Sequence, residues 1–279
     1  MKKKIWALIP LYVWTILLVL LPMGYVLVIS FATRNERYAV DYIFTFENYK
    51  KLVAPVNLRI LWVSLRMAIY TTLGTLIIGY PFAQAMAKRP QRQRDLLMLL
   101  VIVPFWTSAL LRVYGWMTFL RTDGALNNVL LNMGLIEQPI RFMYQQGSVL
   151  FGMIYSLLPF MILPLYAAIE KQDPHVLEAS RDLGANPLMG FFTITLPLSM
   201  PGVVSGCMLV FVPSVGLFFI SDLMGGGTTM VLGNLISHYL QAGKDWPLGA
   251  ALSMVMMVLT LLTMVVYHKY ADSDSMGVF

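Results

Sequence analysis

The sequence predicts an all-α, polytopic membrane protein with six transmembrane helices. Three observations carry this. The 279-residue chain is 58% hydrophobic and only 12% charged, whereas a soluble domain carries about 25% charged residues. Mean hydropathy is +0.70. Six stretches reach the roughly 20 mostly apolar residues that a helix needs to cross the hydrocarbon core. These figures exclude a disordered chain and argue against an ordinary soluble enzyme. Period-two alternation is absent, which argues against a barrel of strands.

The predicted spans run from about Trp6 to Phe31, Leu61 to Ala87, Leu96 to Leu120, Ser148 to Ile169, Pro201 to Ser221 and Pro247 to Tyr267. The first follows Lys2-Lys3-Lys4 and stays free of charge to Thr33. A secretory signal has an apolar region of only about 7–15 residues, so this stretch reads as a retained helix. Lys88, Arg89, Arg92 and Arg94 crowd the connection between spans two and three. With the N-terminal lysines they mark the cytoplasmic side, and six spans then place both termini there. Arg34, Arg37, Lys50, Lys51 and Arg59 on the opposite side weaken that contrast. Without a repeat or a flexible linker, residues 1–279 read as one integral membrane domain.

The net charge of +6 is spread beside apolar runs, an anchoring pattern and not a nucleic-acid footprint. Cys207 stands alone and His175, His238 and His268 lie far apart. An internal disulfide is impossible, and metal-ligand spacing is missing. The 20 methionines fall mostly within spans and read as adaptable packing. Pro10, Pro22, Pro81, Pro104, Pro159, Pro164 and Pro213 interrupt the spans. They fit either bent packing or a pathway of broken helices.

The connection at about 171–198 is unlike the others. Asp173-Pro174 starts a helix, Gly184 stops it, and Asn186-Pro187 starts a second short one. Glu178, Arg181 and Asp182 are spaced to pair on one face. Such a two-faced helix pair suits docking into a groove on another protein.

Glu178-Ala179-Ser180, then Gly184, Ile194, Leu196 and Pro197 resemble the EAA loop of ABC importer permeases. Ser180 is the one departure, a mild change from Ala. Phe46-Glu47-Asn48-Tyr49, Val103-Pro104-Phe105-Trp106-Thr107-Ser108, Leu158-Pro159-Phe160, Glu170-Lys171, Ser221 to Gly226, and Asp245-Trp246-Pro247 extend the resemblance over nearly the whole chain. They are similar to the spermidine/putrescine branch of that family. The resemblance implies the type I ABC importer permease fold in a bacterial inner membrane. It also implies a second permease subunit, an ABC ATPase dimer that binds ATP-Mg, and a periplasmic polyamine-binding protein. No cofactor is implied in this chain.

The residues agree with that division of labour. Gly225-Gly226-Gly227-Thr228-Thr229 lacks the phosphate-binding lysine of a P-loop and reads as a turn. A polyamine path needs negative charge or aromatic faces. Asp222, at the edge of span five, is the acidic candidate, and its alternative is a solvated helix end or a cap. Phe105, Trp106 and Tyr114 are the aromatic candidates, with ordinary packing as their alternative. Arg66 and Arg112 read as structural cations that snorkel or pair with Asp123 or Asp222. Asp123, Glu137 and Asp245 read as solvated loop charges. Short outer helices are expected at Asn127–Met133 and Thr228–Ala242. A permease for an organic anion or an iron complex is the nearest alternative. An intramembrane enzyme would need H-E-x-x-H, G-x-S-x-G or paired aspartates, and the sequence contains none of these.

Overall fold

The computed structural model describes the backbone of residues 13–275 and the side chains within it, other than those of 174, 177, 181 and 266–275. Lys2, Lys3, Lys4 and the start of the first predicted span lie outside the described residues. The chain divides into two units, Met1–Trp62 with Leu232–Thr260 and Val63–Val231 with Leu261–Phe279.

The first unit contains α1 (Val13–Ser30), a hairpin of β1 (Thr33–Arg34) and β2 (Val40–Asp41), and α2 (Glu47–Leu52). It continues into α3 (Pro55–Ala87), which runs on through the second unit. Asn48, buried on α2, donates to the carbonyls of Ser30 and Ala32 at 3.0 and 2.8 Å. It thereby closes the end of α1. Asp245 is no solvated loop charge. It lies 3.6 Å from Arg34 and accepts the Leu248 N–H at 3.2 Å, capping the helix that begins at Trp246.

The second unit carries α4 (Gln91–Ile102), a 3₁₀ turn (Val103–Trp106), α5 (Ala109–Leu120) and α6 (Ala125–Asn132). It continues with α7 (Gln146–Glu170), α8 (Pro174–Asp182), α9 (Pro187–Gly216) and α10 (Phe218–Gly225). α11 (Leu232–Gln241) and the part of α12 (Trp246–Ser275) up to Thr260 belong to the first unit and complete the described helices. The expected short helices thus form as α6 and α11.

Among the described residues five helices are long and apolar enough to cross a membrane: α1, α3, α7, α9 and the apolar part of α12. The predicted span at Leu96–Leu120 is not a continuous helix. Gln91–Trp106 and Ala109–Asn132 meet at 93°. Pro104 offers no N–H, and Thr107 and Ser108 are extended, with ψ 154° and 135°.

Two further predictions are corrected. Asn186-Pro187 does not start a separate short helix, because it opens α9, which runs through to Gly216. Span five does not reach Ser221, because Leu217 breaks it (φ −77°, ψ 70°) and Ser221 belongs to α10.

α9 and α1 each contain a π-turn, Phe191–Thr195 and Ile16–Leu20. Both end two residues before a proline, Pro197 and Pro22. A proline ring clashes with the carbonyl four residues back. That carbonyl belongs to Thr193 or Leu18, inside the widened turn, which makes room for it.

α7 is the centre of the second unit and contributes to two cores. One gathers Met67, Val113, Val149, Met153, Ile220 and Met224. The other gathers Tyr80, Met86, Leu157, Met161, Leu165 and Val210. Glycines let backbones close on α7. A Cβ at Gly202 would lie 2.5 Å from Ala168 Cβ and 2.7 Å from the Pro164 carbonyl oxygen. One at Gly152 would lie 2.5 Å from Met224 Sδ. The small residues thus set the α7–α9 and α7–α10 distances.

Candidate functional site

The loop at 171–198 folds by the cap chemistry its sequence announces. Asp173 accepts the His175 N–H at 3.0 Å, fixing the start of α8. Gly184 adopts φ +87°, and the Ala185 N–H closes onto the Ser180 carbonyl at 3.0 Å. This is the left-handed stop that favours glycine. Asn186 then accepts the Met189 N–H at 2.7 Å to begin α9. Gln172 donates to the Thr195 carbonyl at 3.0 Å and pins the entry of the loop to its exit.

This folding brings Ala179, Ser180 and Ile194 of the motif together. His175, Val176, Ala179, Ser180, Leu183 and Ile194 line one shallow groove. Ser180 is buried, whereas Glu178 and Ala179 are exposed. Glu178 meets His175 Nδ1 at 3.2 Å. Its expected pairing with Arg181 involves a side chain outside the described residues. Leu196 packs against the Met161–Leu165 core, and Pro197 is exposed in the first turn after the π-turn. Leu183 (89% exposed), Leu188, Met189 and Phe192 form an apolar surface around the loop.

The basic connection between α3 and α4 lies at the same end of α7. Arg94 is 3.0 Å from Glu170, which also accepts the Tyr166 hydroxyl at 2.7 Å. The sequence treated these as separate features. Their contact ties the cation-rich connection to the base of the loop.

The aromatic candidates surround the break between α4 and α5. Trp106 is 79% exposed, Tyr114 is half exposed and Phe105 is half-buried. Phe105 packs edge-on to Phe160 at 6.4 Å, and the Arg112 guanidinium lies 4.3 Å from its centroid. Arg112 also donates from Nη1 to the carbonyls of Pro104 and Thr107. Sequence reasoning gave Arg112 a structural role but expected snorkelling or a carboxylate, and missed these carbonyls. Their signal was Pro104 four residues before Ser108, itself the N-cap of α5. Arg66 Nη2 donates to Gln146 at 3.2 Å, while Asp123 pairs with Arg121 at 3.2 Å.

Asp222 is exposed on α10, and the opposite side of that short helix is firmly held. Ser148 on α7 donates to the Met224 carbonyl at 3.1 Å, and the Tyr144 N–H does so at 2.9 Å. Ser221 donates to the Thr229 carbonyl. Gly226 (φ +54°) lets the turn pass over the Tyr144 ring, where a Cβ would come within 2.5 Å. The glycine run is a turn, as its lack of a lysine predicted.

The model of the family described as "binding-protein-dependent transport system inner membrane component" matches residues 75–271. The chain belongs to that family. The spermidine/putrescine transport system permease protein PotB of Escherichia coli (strain K12) is 46% identical over 92% of this chain and 93% of the relative. The protein of the same name from Haemophilus influenzae is 44% identical over 93% of this chain and 91% of the relative.

Among solved structures, a bacterial alginate ABC transporter with an alginate-bound periplasmic protein superposes with a TM-score of 0.77 at 18% identity. It covers 95% of this chain and 92% of that one. The MetNI methionine ABC transporter superposes with a TM-score of 0.57 at 17% identity, covering 78% and 95%. At those identities the likeness shows the fold, that of type I ABC importer permeases. The chain is therefore a non-catalytic permease subunit of the inner membrane. Its fold implies an ATPase and a substrate-binding protein as partners.

Proposed function

We propose that this permease takes up polyamines of the spermidine/putrescine class by alternating access. The observation that carries the substrate class is the 46% identity to a spermidine/putrescine permease, sustained over 92% of the chain. In this reading the chain is one integral membrane domain with both termini cytoplasmic. It pairs with a second permease subunit in a bacterial inner membrane. A periplasmic polyamine-binding protein docks outside, and an ATPase dimer binds ATP-Mg inside. α8, with Glu178, Ala179, Ser180 and Gly184, enters a cleft of the ATPase. Ile194, Leu196 and Pro197 join it to α9.

The proposed transmission follows the packing. α8 is joined to α7 through 171–173 and to α9 through 183–186. Gly202 holds those two helices close, so displacement of α8 moves them together. At its other end α7 holds α10 through Ser148 and Gly152, and α10 carries Asp222. Asp222 supplies negative charge to the path. Trp106 and Tyr114 supply aromatic faces, each worth about 0.5–2 kcal/mol to an ammonium. Phe105 contributes as the ring beneath Arg112. A path for an organic anion or an iron complex would draw on Arg112, yet its Nη1 donors are already engaged by backbone carbonyls.

The test is uptake of labelled putrescine and spermidine in cells without importers of their own. The chain is expressed with its partner subunits, with the ATPase either active or dead. ATPase-dependent uptake is expected. An assembled complex that moves neither compound overturns the polyamine reading and leaves the family assignment intact.

A further inference from the structure

A break in a helix strips carbonyls of their N–H partners, and other donors must take their place. Between α4 and α5 the chain has such a break. In a continuous helix the Pro104 carbonyl would accept from the Ser108 N–H, and the Thr107 carbonyl from the Leu111 N–H. At the break, Pro104 instead receives a long 3.4 Å bond from the Thr107 N–H and a 2.7 Å bond from the Thr107 hydroxyl. Arg112 supplies the remainder. Its Nη1 donates to Pro104 O at 2.9 Å and to Thr107 O at 2.7 Å. The same guanidinium lies over Phe105, so one side chain grips both sides of the bend.

The geometry points to Arg112 as a positioning residue. It holds the 93° break and thereby keeps Trp106, in the last position of the 3₁₀ turn, exposed. Donors on an arginine are fixed in a rigid fork, which makes a bracket. A neutral aliphatic residue at 112 takes the side-chain donor from the Thr107 carbonyl and leaves Pro104 with the Thr107 donors alone. The relief is to continue the helix through Thr107 and Ser108, which straightens the bend and withdraws the side chain at 106. The importance of that exposure for transport rests on the polyamine-path reading of Trp106. The bracket itself does not.

The test uses the complete importer in proteoliposomes. Cys207→Ser removes this chain's single thiol, and Trp106→Cys introduces one at the break. The rate of modification by a water-soluble maleimide is then read on this subunit. Adding Arg112→Leu is expected to slow modification by at least about tenfold, in line with the loss of charge-assisted hydrogen bonds. Arg112→Lys, whose ammonium still donates to carbonyls, is expected to stay within about threefold of the parent. Equal rates in the Leu variant and the parent overturn the proposal. Should the Leu variant fail to assemble, Arg112→Gln is measured. Its shorter amide reaches one carbonyl, with an expected slowing of about threefold, and a rate equal to the parent's again overturns the bracket. Polyamine uptake by Arg112→Leu in the Trp106-containing chain separates the two readings. Slowed modification with normal uptake supports the bracket and removes Trp106 from the path.

Discussion

The loop at 171–198 and the break at 103–108 both interrupt helices, and each must satisfy the backbone groups it frees. In the loop, short polar side chains do this next to the groups they serve. Asp173 takes the His175 N–H, and Asn186 takes the Met189 N–H. Leu183, Leu188 and Met189 are exposed around them, so in the proposed orientation cytoplasmic water reaches the remainder. At the break, Ser108 occupies the N-cap position but makes no side-chain cap. A cation from the next turn serves two carbonyls in its place. Where the freed groups are N–H donors, a short neighbouring acceptor suffices. Where they are carbonyls and the N-cap hydroxyl makes no cap bond, a longer donating side chain takes that place.

The largest expected effect lies between these regions, in the packing that joins them. Gly202→Val places its first added carbon against Ala168 and the Pro164 carbonyl. Overpacking of this kind costs about 1–3 kcal/mol, and here one neighbour is backbone and cannot rotate away. Recovery of assembled complex by size exclusion should fall sharply, and uptake with it. Full recovery with normal uptake would show that the α7–α9 distance is adjustable and that the two ends act separately. Next in size is Glu178→Arg on the exposed face of α8. Uptake should fall by at least about tenfold, a loss of roughly 1.4 kcal/mol, while ATP hydrolysis by the complex persists. Normal transport in that variant would remove Glu178 from the coupling surface.

The same contrast explains what could be read from the sequence. Span positions were legible because hydropathy is a property of each segment alone. The loop was legible because Asp173-Pro174, Gly184 and Asn186-Pro187 act on residues within a turn of themselves. The break was not legible, although Pro104 is visible in the sequence. Pro81, Pro159 and Pro164 look equally disruptive, yet they sit inside continuous helices. What distinguishes Pro104 is Arg112 folding back from beyond the bend. The end of span five was also misplaced. Leu217 turns the chain so that Ile220 and Met224 settle on Gly152, a contact between residues about 70 apart with no local signature. Asp222 therefore stands on a separate helix, supported by residues that hydropathy could not connect to it.

Gly184→Ala sharpens the comparison at moderate cost. No atom lies within 4 Å of the added carbon, so the effect is confined to the backbone at φ +87°. Holding an L-residue there costs roughly 1–2 kcal/mol. Amide exchange at 183–185 should accelerate by about 5–30-fold, following that cost, while recovery of the complex stays at the parent level. Unchanged exchange would mean that the loop leaves this conformation freely and that α8 has no fixed stop.

The smallest effect is expected from Asn186→Ala. Removing a neutral N-cap costs about 0.5–2 kcal/mol, so exchange of the Met189 amide should rise by roughly 2–30-fold. Asn186→Asp keeps an acceptor in place and should exchange like the parent. Water can take over the Met189 N–H at this exposed start of α9, so uptake should decline little. Arg112→Leu has no such substitute at the break. The two substitutions therefore test the contrast when uptake is measured side by side in the same assembled complex. If Asn186→Ala impairs uptake as severely as Arg112→Leu, the kind of backbone group freed does not set the weight of the two interruptions. The cap of α9 would then be part of the coupling contact itself, with Asn186 acting on the ATPase and not only on its own helix.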